Sequence, residues 1–400
     1  MAISDVGEYA HLSSDQIEEL GRELDAVRAE VIASRGERDY RYIHSIIKLQ
    51  RGLEFGARAL LYLGARNRTV WALGTGTLAV AKILENMELG HNIMHGQWDW
   101  MNDPEIHSTN WEWDLVGSSA DWKHTHNYLH HKYTNIVGID DDVGFGVLRV
   151  TRDIPWEPRF AGNILVNTVL MLGFEWGIGL QAVDTADAFD REASPADRRR
   201  ARAFLRKAGQ QILKDYILFP VLAGPSGRQA LTATITANII RNIWTNAVIF
   251  CGHFPDGAEK FTMDDIETET QAEWYLRQML GSANLDGGPA MNFMSGNLSF
   301  QIEHHMFPDL PSNRYSEISL KVRELCERYD LPYVSGPLWK QYLQSWRTIA
   351  RLSLPDRFLR RTADNAPETR SEKMFALGPR MPGLATALAG VRKGRAHQSR

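Results

Sequence analysis

The sequence has little of what marks several common protein classes. Only two cysteines occur, Cys251 and Cys326, which excludes a disulfide scaffold and is typical of a reducing compartment. The formal net charge is −4, so the strongly basic domain of a nucleic-acid-binding protein is absent and we expect no nucleic-acid partner. Residues 1–30 are acidic and contain no apolar run, so they do not match a secretory signal peptide.

Several chemical motifs are also missing. The chain has no GxGxxG loop opening a βαβ unit, no HExxH zinc motif and no cysteine cluster for iron–sulfur ligation. These absences argue against a nicotinamide site, a zinc hydrolase and an iron–sulfur protein within this chain. If the protein carries out redox chemistry, its electrons must therefore come from a separate protein.

Apolar stretches alternate with charged ones along the chain. Two of them, 163–183 and 230–254, reach the roughly 20 residues that a membrane-spanning helix needs. All the apolar stretches include ionisable residues, such as Glu175, Arg241 and Lys82. Two interpretations remain open: buried helices of a large soluble protein, or membrane helices whose polar residues line a working site. We favour the second, and expect an all-α, multi-span membrane helical bundle with a cytoplasmic helical cap over the site.

The charge pattern divides the chain into three parts. Residues 1–45 are expected to form a cytoplasmic helical segment, in which Ser13 caps a helix and pairs with Gln16 in a capping box. Residues 46–340 hold the apolar stretches and are expected to form the membrane domain. Residues 341–400 are predicted to be a polar and basic tail.

Histidines at helical spacing form two clusters. His91 and His95 stand four residues apart, as do His126 and His130, so each pair is expected to share one helix face and to bind one ion. On an ideal α-helix His131 points about 100° away from His130. That direction lets it reach a second ion, so adjacent histidines indicate two metals.

A third cluster, Gln301-Ile-Glu-His304-His305, repeats the adjacent histidine pair, and His253 ends the 230–254 stretch. Eight of the 13 histidines then belong to one predicted site, which is too many for one ion and enough for two. Imidazole ligation alone leaves iron, zinc, copper and nickel open. We expect Glu303, Asn135 and the run Asp140–Asp142 to accept hydrogen bonds from ligand imidazoles, although the aspartate run is equally consistent with a solvated turn.

The three clusters together resemble the histidine boxes of the membrane fatty acid desaturases. The resemblance is carried by HNIMH, HNYLHHKYTN and NLSFQIEHHMFPDLPSNRY and runs from about residue 45 to 340. The whole chain is similar to actinobacterial acyl-CoA desaturases of the stearoyl-CoA Δ9 type. The third box has Gln301 in place of its first histidine, as in the front-end subgroup, but the HPGG motif of a fused cytochrome b5 domain is absent.

The resemblance implies two irons and a set of metal ligands. That set is His91, His95, His126, His130, His131, His253, Gln301, His304 and His305. It further implies molecular oxygen as co-substrate, a long-chain acyl-CoA substrate such as stearoyl- or palmitoyl-CoA, and a cis double bond at Δ9. Electrons are expected from an NAD(P)H-dependent reductase or a ferredoxin-like protein, and the enzyme is expected in the cell membrane with its site facing the cytoplasm.

Three alternatives stay open at this point. A front-end, Δ6-type desaturase acting on linoleoyl-CoA and a di-iron membrane hydroxylase would use the same ligands. A non-enzymatic membrane protein for haem or metal transport needs far fewer histidines. Two secondary expectations concern other residues. Trp111 and Trp113 are predicted at a membrane interface, and Arg149 and Arg152 are predicted at the surface or, as the alternative, on a CoA phosphate.

Overall fold

The computed structural model describes residues 9–181, 183, 194–261, 266 and 268–359, which are mostly helical. The α-helices are α1 (Ser14–Ala33), α2 (Glu37–Gly64), α3 (Arg68–Leu84), α4 (Asn92–Met94), α5 (Ser119–Trp122), α6 (Asn163–Leu172), α7 (Phe174–Gln181), α8 (Pro195–Ile212), α9 (Phe219–Leu222), α10 (Gly227–His253), α11 (Gln271–Gly281), α12 (Pro289–Met294), α13 (Gln301–Met306), α14 (Tyr315–Arg328) and α15 (Leu338–Leu352). The π-helical segments Glu85–His91, Lys123–His130 and Leu213–Leu218 continue α3, α5 and α8 without a break.

Shorter elements connect these helices. Strands β1 (Asn284–Asp286) and β2 (Ser335–Pro337) pair in parallel, with Asn284 opposite Ser335. Single 3₁₀ turns lie at Asp99–Met101, Gly144–Gly146, Pro158–Gly162, Gly224–Ser226, Leu298–Phe300, Ser312–Arg314 and Asp356–Phe358.

Helix α1 begins where its capping box was predicted. Ser13 Oγ accepts from Gln16 N at 3.3 Å, and Gln16 Oε1 accepts from Ser13 N at 2.9 Å. Its apolar stripe packs into one buried cluster with α11, α13 and α14, which includes Leu24, Leu276 and Ile302. Helix α1 therefore packs against the helix that holds the third histidine cluster.

The stretch 163–183 does not form one straight helix. It breaks at Gly173 into α6 and α7, and the 3₁₀ turn and α6 (Pro158–Leu172) meet α7 at an angle of 99°. Among the described residues no single helix is both long and apolar enough to cross a membrane, whereas this bent pair passes the same test as a unit. The expectation of a simple span at 163–183 is therefore wrong. A glycine ends α6 here and the chain turns sharply.

Charged residues of the apolar stretches pair with one another. Lys82 Nζ lies 2.8 Å from Asp215 Oδ2 and 3.2 Å from Asp114 Oδ2, and Arg241 pairs with Glu175 at 2.5 Å. The sequence interpretation that such residues line the working site is wrong for these pairs. Burying an unpaired charge raises the free energy of the folded protein by roughly several kcal/mol. Each of these charged side chains is therefore paired with an opposite charge from another part of the chain.

The three-part division of the chain remains a prediction. Helix α2 runs through residue 45, and α15 runs through residue 340. Most of the basic tail, residues 360–400, lies outside the described residues.

Candidate metal centre

The first histidine cluster lies where α3 changes its winding. The helix continues into the π-helical segment Glu85–His91, so His91 ends that segment and His95 ends the short helix α4. π-helical turns close i→i+5 bonds and are frequently found at functional sites. The change of winding aims both imidazoles at the interior of the protein, where His91 is 8% exposed and His95 is 9% exposed.

The second cluster has the same design. Ser118 caps α5 by accepting from Asp121 N at 3.2 Å, and the π-helical segment Lys123–His130 follows directly. His126 and His130 belong to this segment and His131 is the next residue. His124 lies on the exposed side of the segment, as its i+2 spacing from His126 predicts.

The third cluster and His253 come together through a close helix approach. His253 is the last residue of α10, and Gln301, His304 and His305 lie on α13. A Cβ at Gly252 would lie 2.9 Å from the side chain of Gln301, so only glycine allows α10 to approach this closely. His304 and His305 are fully buried.

The eight histidines and Gln301 converge into two neighbouring groups. In the first, the candidate ligand atoms of His91, His95, His126 and His304 all lie within 4.8 Å of one another. In the second group, one candidate ligand nitrogen from each of His130, His253 and His305 also lies within 4.8 Å of the other two. His131 lies between the groups. Its ring stacks on that of His305 with 4.4 Å between the ring centroids, and its centroid is 4.6 Å from that of His95. The amide of Gln301 is 3.0 Å from His253 Nε2.

Polar partners hold the outer side of the rings. Nδ1 of His130 lies 3.0 Å from Asp140 Oδ2. Nδ1 of three further rings has a neutral polar partner: His91 with Asn92 Oδ1, His304 with Tyr315 OH, and His305 with Gln278 Oε1, each at 3.2 Å. An imidazole whose Nδ1–H is donated outward keeps the Nε2 lone pair for a metal. In these four rings the Nε2 side therefore faces inward.

The inward atoms fit metal coordination. Nε2 of His95, Nε2 of His304, both ring nitrogens of His131 and Oε1 of Gln301 are buried without a hydrogen-bond partner. Buried polar atoms are otherwise almost always paired, because an unpaired one costs about 1–3 kcal/mol. A metal ion bound by Nε2 of His95, Nε2 of His304, Oε1 of Gln301 or one of the two nitrogens of His131 removes that penalty for the ligating atom.

Electrostatics also favour neutral rings at most of these positions. Burial lowers the pKa of His95, of His131 and of His304 well below the ordinary value. His130 differs: burial disfavours its protonation, but the carboxylates of Asp140 and Asp142 outweigh burial and raise its pKa to about 9. This value reflects how strongly the acidic pair holds the outer side of that ring.

Comparisons with known proteins place these groups in a family. A family model described as fatty acid desaturase matches residues 69–337, which include all three clusters. The chain belongs to the fatty acid desaturase family. The NADPH-dependent stearoyl-CoA 9-desaturase of Mycobacterium tuberculosis is 58% identical over 411 aligned residues, covering 98% of this chain and 95% of that protein. An sn-1 linoleoyl-lipid 6-desaturase of Synechocystis is 24% identical over 336 residues, covering 82% and 92%.

A cavity lies beside the first group of this desaturase. His91, His126 and Asp142 form part of its wall, together with polar Asn86, Thr125, Gln181 and Thr245. The rest of the wall is apolar and includes Met87, Trp113, Trp122, Phe145, Ile178, Ile249 and Leu298. The cavity wall next to the histidines is therefore largely apolar.

Some sequence-based expectations about the surroundings were wrong. In the part of the chain that the structure describes, Glu303 has no hydrogen bond to an imidazole; it accepts from Asn284 Nδ2 at 2.8 Å and from Tyr333 OH at 2.7 Å. Trp113 is buried rather than at an interface. Its ring covers apolar surface in the cavity wall, and its Nε1–H donates to Gly117 O. Arg149 is fully buried and bonds both oxygens of Asp356, so it is neither solvated nor available to a phosphate.

Sequence reasoning also missed several partners of the ligand imidazoles. Tyr315, the partner of His304, is the last residue of the third desaturase motif and could have been found there. Asn92 stands within the first motif. Gln278 lies on α11, away from any motif, and carries no local signal. Of the aspartate run, Asp140 is buried against His130 whereas Asp141 is exposed.

Proposed function

We propose that this protein is an oxygen-dependent acyl-CoA desaturase that introduces a cis double bond at Δ9 of a long-chain acyl-CoA, such as stearoyl- or palmitoyl-CoA. The observation that carries the proposal is the convergence of eight histidines, seven of them in two groups and His131 between these groups, beside a largely apolar cavity. The 58% identity with a stearoyl-CoA 9-desaturase supports the substrate and the bond position. The linoleoyl-lipid 6-desaturase is similar at only 24% identity, which disfavours the front-end alternative.

Two irons are proposed as the metals. His91, His95, His126 and His304 would hold one, and His130, His253 and His305 the other, with His131 and Gln301 completing the set. With oxygen and two external electrons, such a pair supplies the oxidising power needed to remove hydrogen from an unactivated methylene. The assignment to iron follows the family, since imidazole ligation alone fits several metals.

The protein's own part in the reaction is to position the acyl chain. An unactivated methylene has no polar handle, so the shape of the site must select the reacting carbon. The ring of Trp122 stacks on His126 with 4.3 Å between centroids, and Trp122 also lines the cavity. An acyl chain lying against Trp122, Ile249 and Phe145 is thereby held next to the first histidine group, with water excluded by the apolar wall.

We further propose that the protein is integral to the cell membrane with its site on the cytoplasmic side. Large apolar side chains on several helices point to solvent in the protein alone: Phe55 is 77% exposed, Leu63 89%, Leu165 69% and Val221 70%. Exposed apolar surface on this scale is typical of contact with lipid. The acyl-CoA head group and the electron donor would then approach from the cytoplasm.

Fatty-acid analysis tests the proposal. The chain is expressed in a host that supplies an NADPH-dependent reductase, and fatty acids are compared with those of the host carrying an empty vector. We expect new monounsaturated acids with the double bond at carbon 9, located by mass spectrometry of dimethyl disulfide adducts. A double bond at carbon 6 would support the front-end alternative, a hydroxy acid would support a hydroxylase, and an unchanged profile would contradict desaturation.

A further inference from the structure

One carboxylate lies behind both histidine groups. Asp142 Oδ2 is 3.5 Å from Nδ1 of His126, a member of the first group, and 3.5 Å from Nδ1 of His130, a member of the second. The three side chains also form a cluster of their own, with all their candidate ligand atoms within 4.8 Å. Asp142 therefore faces the outer nitrogens of two rings that point to different metal positions.

Other residues hold Asp142 in this position. Its Oδ1 accepts from Gln181 Nε2 at 2.8 Å, and its backbone N–H donates to Asp140 Oδ1 at 3.0 Å. Its side chain is 17% exposed, and both Asp142 and Gln181 line the cavity. The carboxylate is thus fixed from the backbone side and from α7, at the edge of the space assigned to the substrate.

The two neighbouring aspartates have different environments. Asp140 is buried and contacts His130, and it also accepts from Asn135 N at 2.7 Å. Asp141 is exposed. The three consecutive aspartates therefore differ in their surroundings: Asp140 contacts one imidazole ring, Asp141 is exposed, and Asp142 faces two rings.

We propose that Asp142 is a positioning residue shared by both metal positions, and that it orients His126 and His130 together. The Asp142 carboxylate attracts the outer N–H of each ring across 3.5 Å, a charge contact rather than a hydrogen bond, while Nδ1 of His130 is also bonded to Asp140. Loss of an outer carboxylate partner of a ligand imidazole typically weakens metal binding about 10- to 100-fold. Since one carboxylate serves both rings, its removal should weaken both metal positions. The inference rests on the two-metal part of the proposed function.

Iron retention by the purified full-length protein tests this. Wild-type protein, Asp142→Ala, Asp140→Ala and Asp141→Ala are titrated with a ferrous chelator, and the iron kept per chain is measured. We expect Asp142→Ala to lose both irons at about 10- to 100-fold lower chelator concentration. Because Asp140 contacts His130 and also anchors the backbone of Asp142, we expect Asp140→Ala to release the iron of the second group at lower chelator concentration than the iron of the first, and Asp141→Ala to match the wild type.

Mössbauer spectra of ⁵⁷Fe-labelled protein give a second measurement. A purely structural role of Asp142 would not change the two iron signals in the way described next. We expect both iron signals to change to a similar degree in Asp142→Ala, and the signal of the second group to change more than that of the first in Asp140→Ala. Asp142→Ala behaving like Asp141→Ala, or changing a single iron, would overturn the proposal. If Asp142→Ala does not fold, Gln181→Leu removes the anchor of the carboxylate, and loosening of both irons is again the supporting result.

The outcome is separable from that of the desaturation proposal. A wild type that makes no double bond but retains two irons and shows the same variant pattern leaves Asp142 in its role while contradicting the function. A wild type that holds fewer than two metals overturns the shared-carboxylate proposal whatever its products are.

Discussion

The Nε2 atoms of His91 and His126 lie 3.3 Å apart, although 35 positions separate the two residues in the chain. Two imidazole nitrogens each about 2.1 Å from one ion, at an angle of about 100°, would be ~3.2 Å apart. The spacing is therefore that of two ligands on one metal.

Substitution of single histidines separates ligands from bystanders. We expect His130→Ala and His305→Ala each to abolish desaturation, because each removes a ring from the second group. We expect His124→Ala and His107→Ala to retain turnover, since both residues lie outside the groups. Fatty-acid profiles and iron content of the four variants check this.

The contrary results are equally specific. Full activity in His305→Ala, or loss of activity in a normally folded His107→Ala protein, would contradict the ligand assignment.

Metal content is the second prediction. We expect about two irons per chain, since eight imidazoles exceed what one ion can use. Elemental analysis of the purified protein gives the number, and exhaustive treatment with a strong chelator should remove both iron and activity together. A single zinc per chain, or activity that survives complete removal of metal, would rule out the di-iron assignment.

A third prediction concerns the source of electrons. Oxygen takes four electrons, the substrate gives two for each double bond, and the chain carries no motif for haem, nicotinamide or iron–sulfur. We expect the purified protein to be inactive with NADPH and oxygen alone. Adding a ferredoxin-like protein and its NADPH-dependent reductase should start turnover, measured as oleate formed from stearoyl-CoA.

Two control reactions accompany this assay. The carrier and reductase without the desaturase should form no product, and dithionite should reduce the irons without any carrier. Desaturation by the isolated chain with NADPH as the sole donor would contradict the prediction.

Buried ion pairs give a stability prediction. In Arg241→Met, Glu175 stays buried without its cation, and we expect a loss of about 3–5 kcal/mol in the free energy of unfolding. Replacing both residues, Arg241→Met with Glu175→Leu, should recover most of it, since no uncompensated charge remains. Thermal unfolding in detergent for both variants and for Glu175→Leu alone completes the cycle. A double variant as unstable as Arg241→Met would contradict this account.

The local signals in the sequence were sufficient for some elements. Ser13 and Gln16 marked the start of α1, because a capping box needs only four residues. The spacing within each histidine cluster indicated a shared face, and the structure brings the three clusters together. Both inferences use contacts between residues close together in the chain.

Long-range contacts could not be predicted in the same way. Nothing near Lys82 indicates that Asp215 would neutralise it, and Gln278 approaches His305 only through the packing of α11 on α13. The 99° bend at Gly173 depends on how α6 and α7 pack, whereas hydropathy reports only an apolar stretch. Proximity in sequence to His304 and His305 suggested that Glu303 accepts from an imidazole. In the structure its carboxylate accepts from Asn284 and Tyr333 instead.

The π-helical winding before His91 and before His130 has a consequence for how this protein tolerates insertions and deletions. Each wide turn contains one residue more than an α-helical turn between the same hydrogen bonds. Deleting one residue of Glu85–Gly90 would let the helix close as an ordinary α-helix, and because the wide turn had absorbed that residue, the downstream residues would keep about the same direction around the helix axis. His91 would then still face His126, whereas the same deletion inside the α-helical part of α3, where no wide turn compensates it, would rotate His91 by about 100° and turn it away from the site.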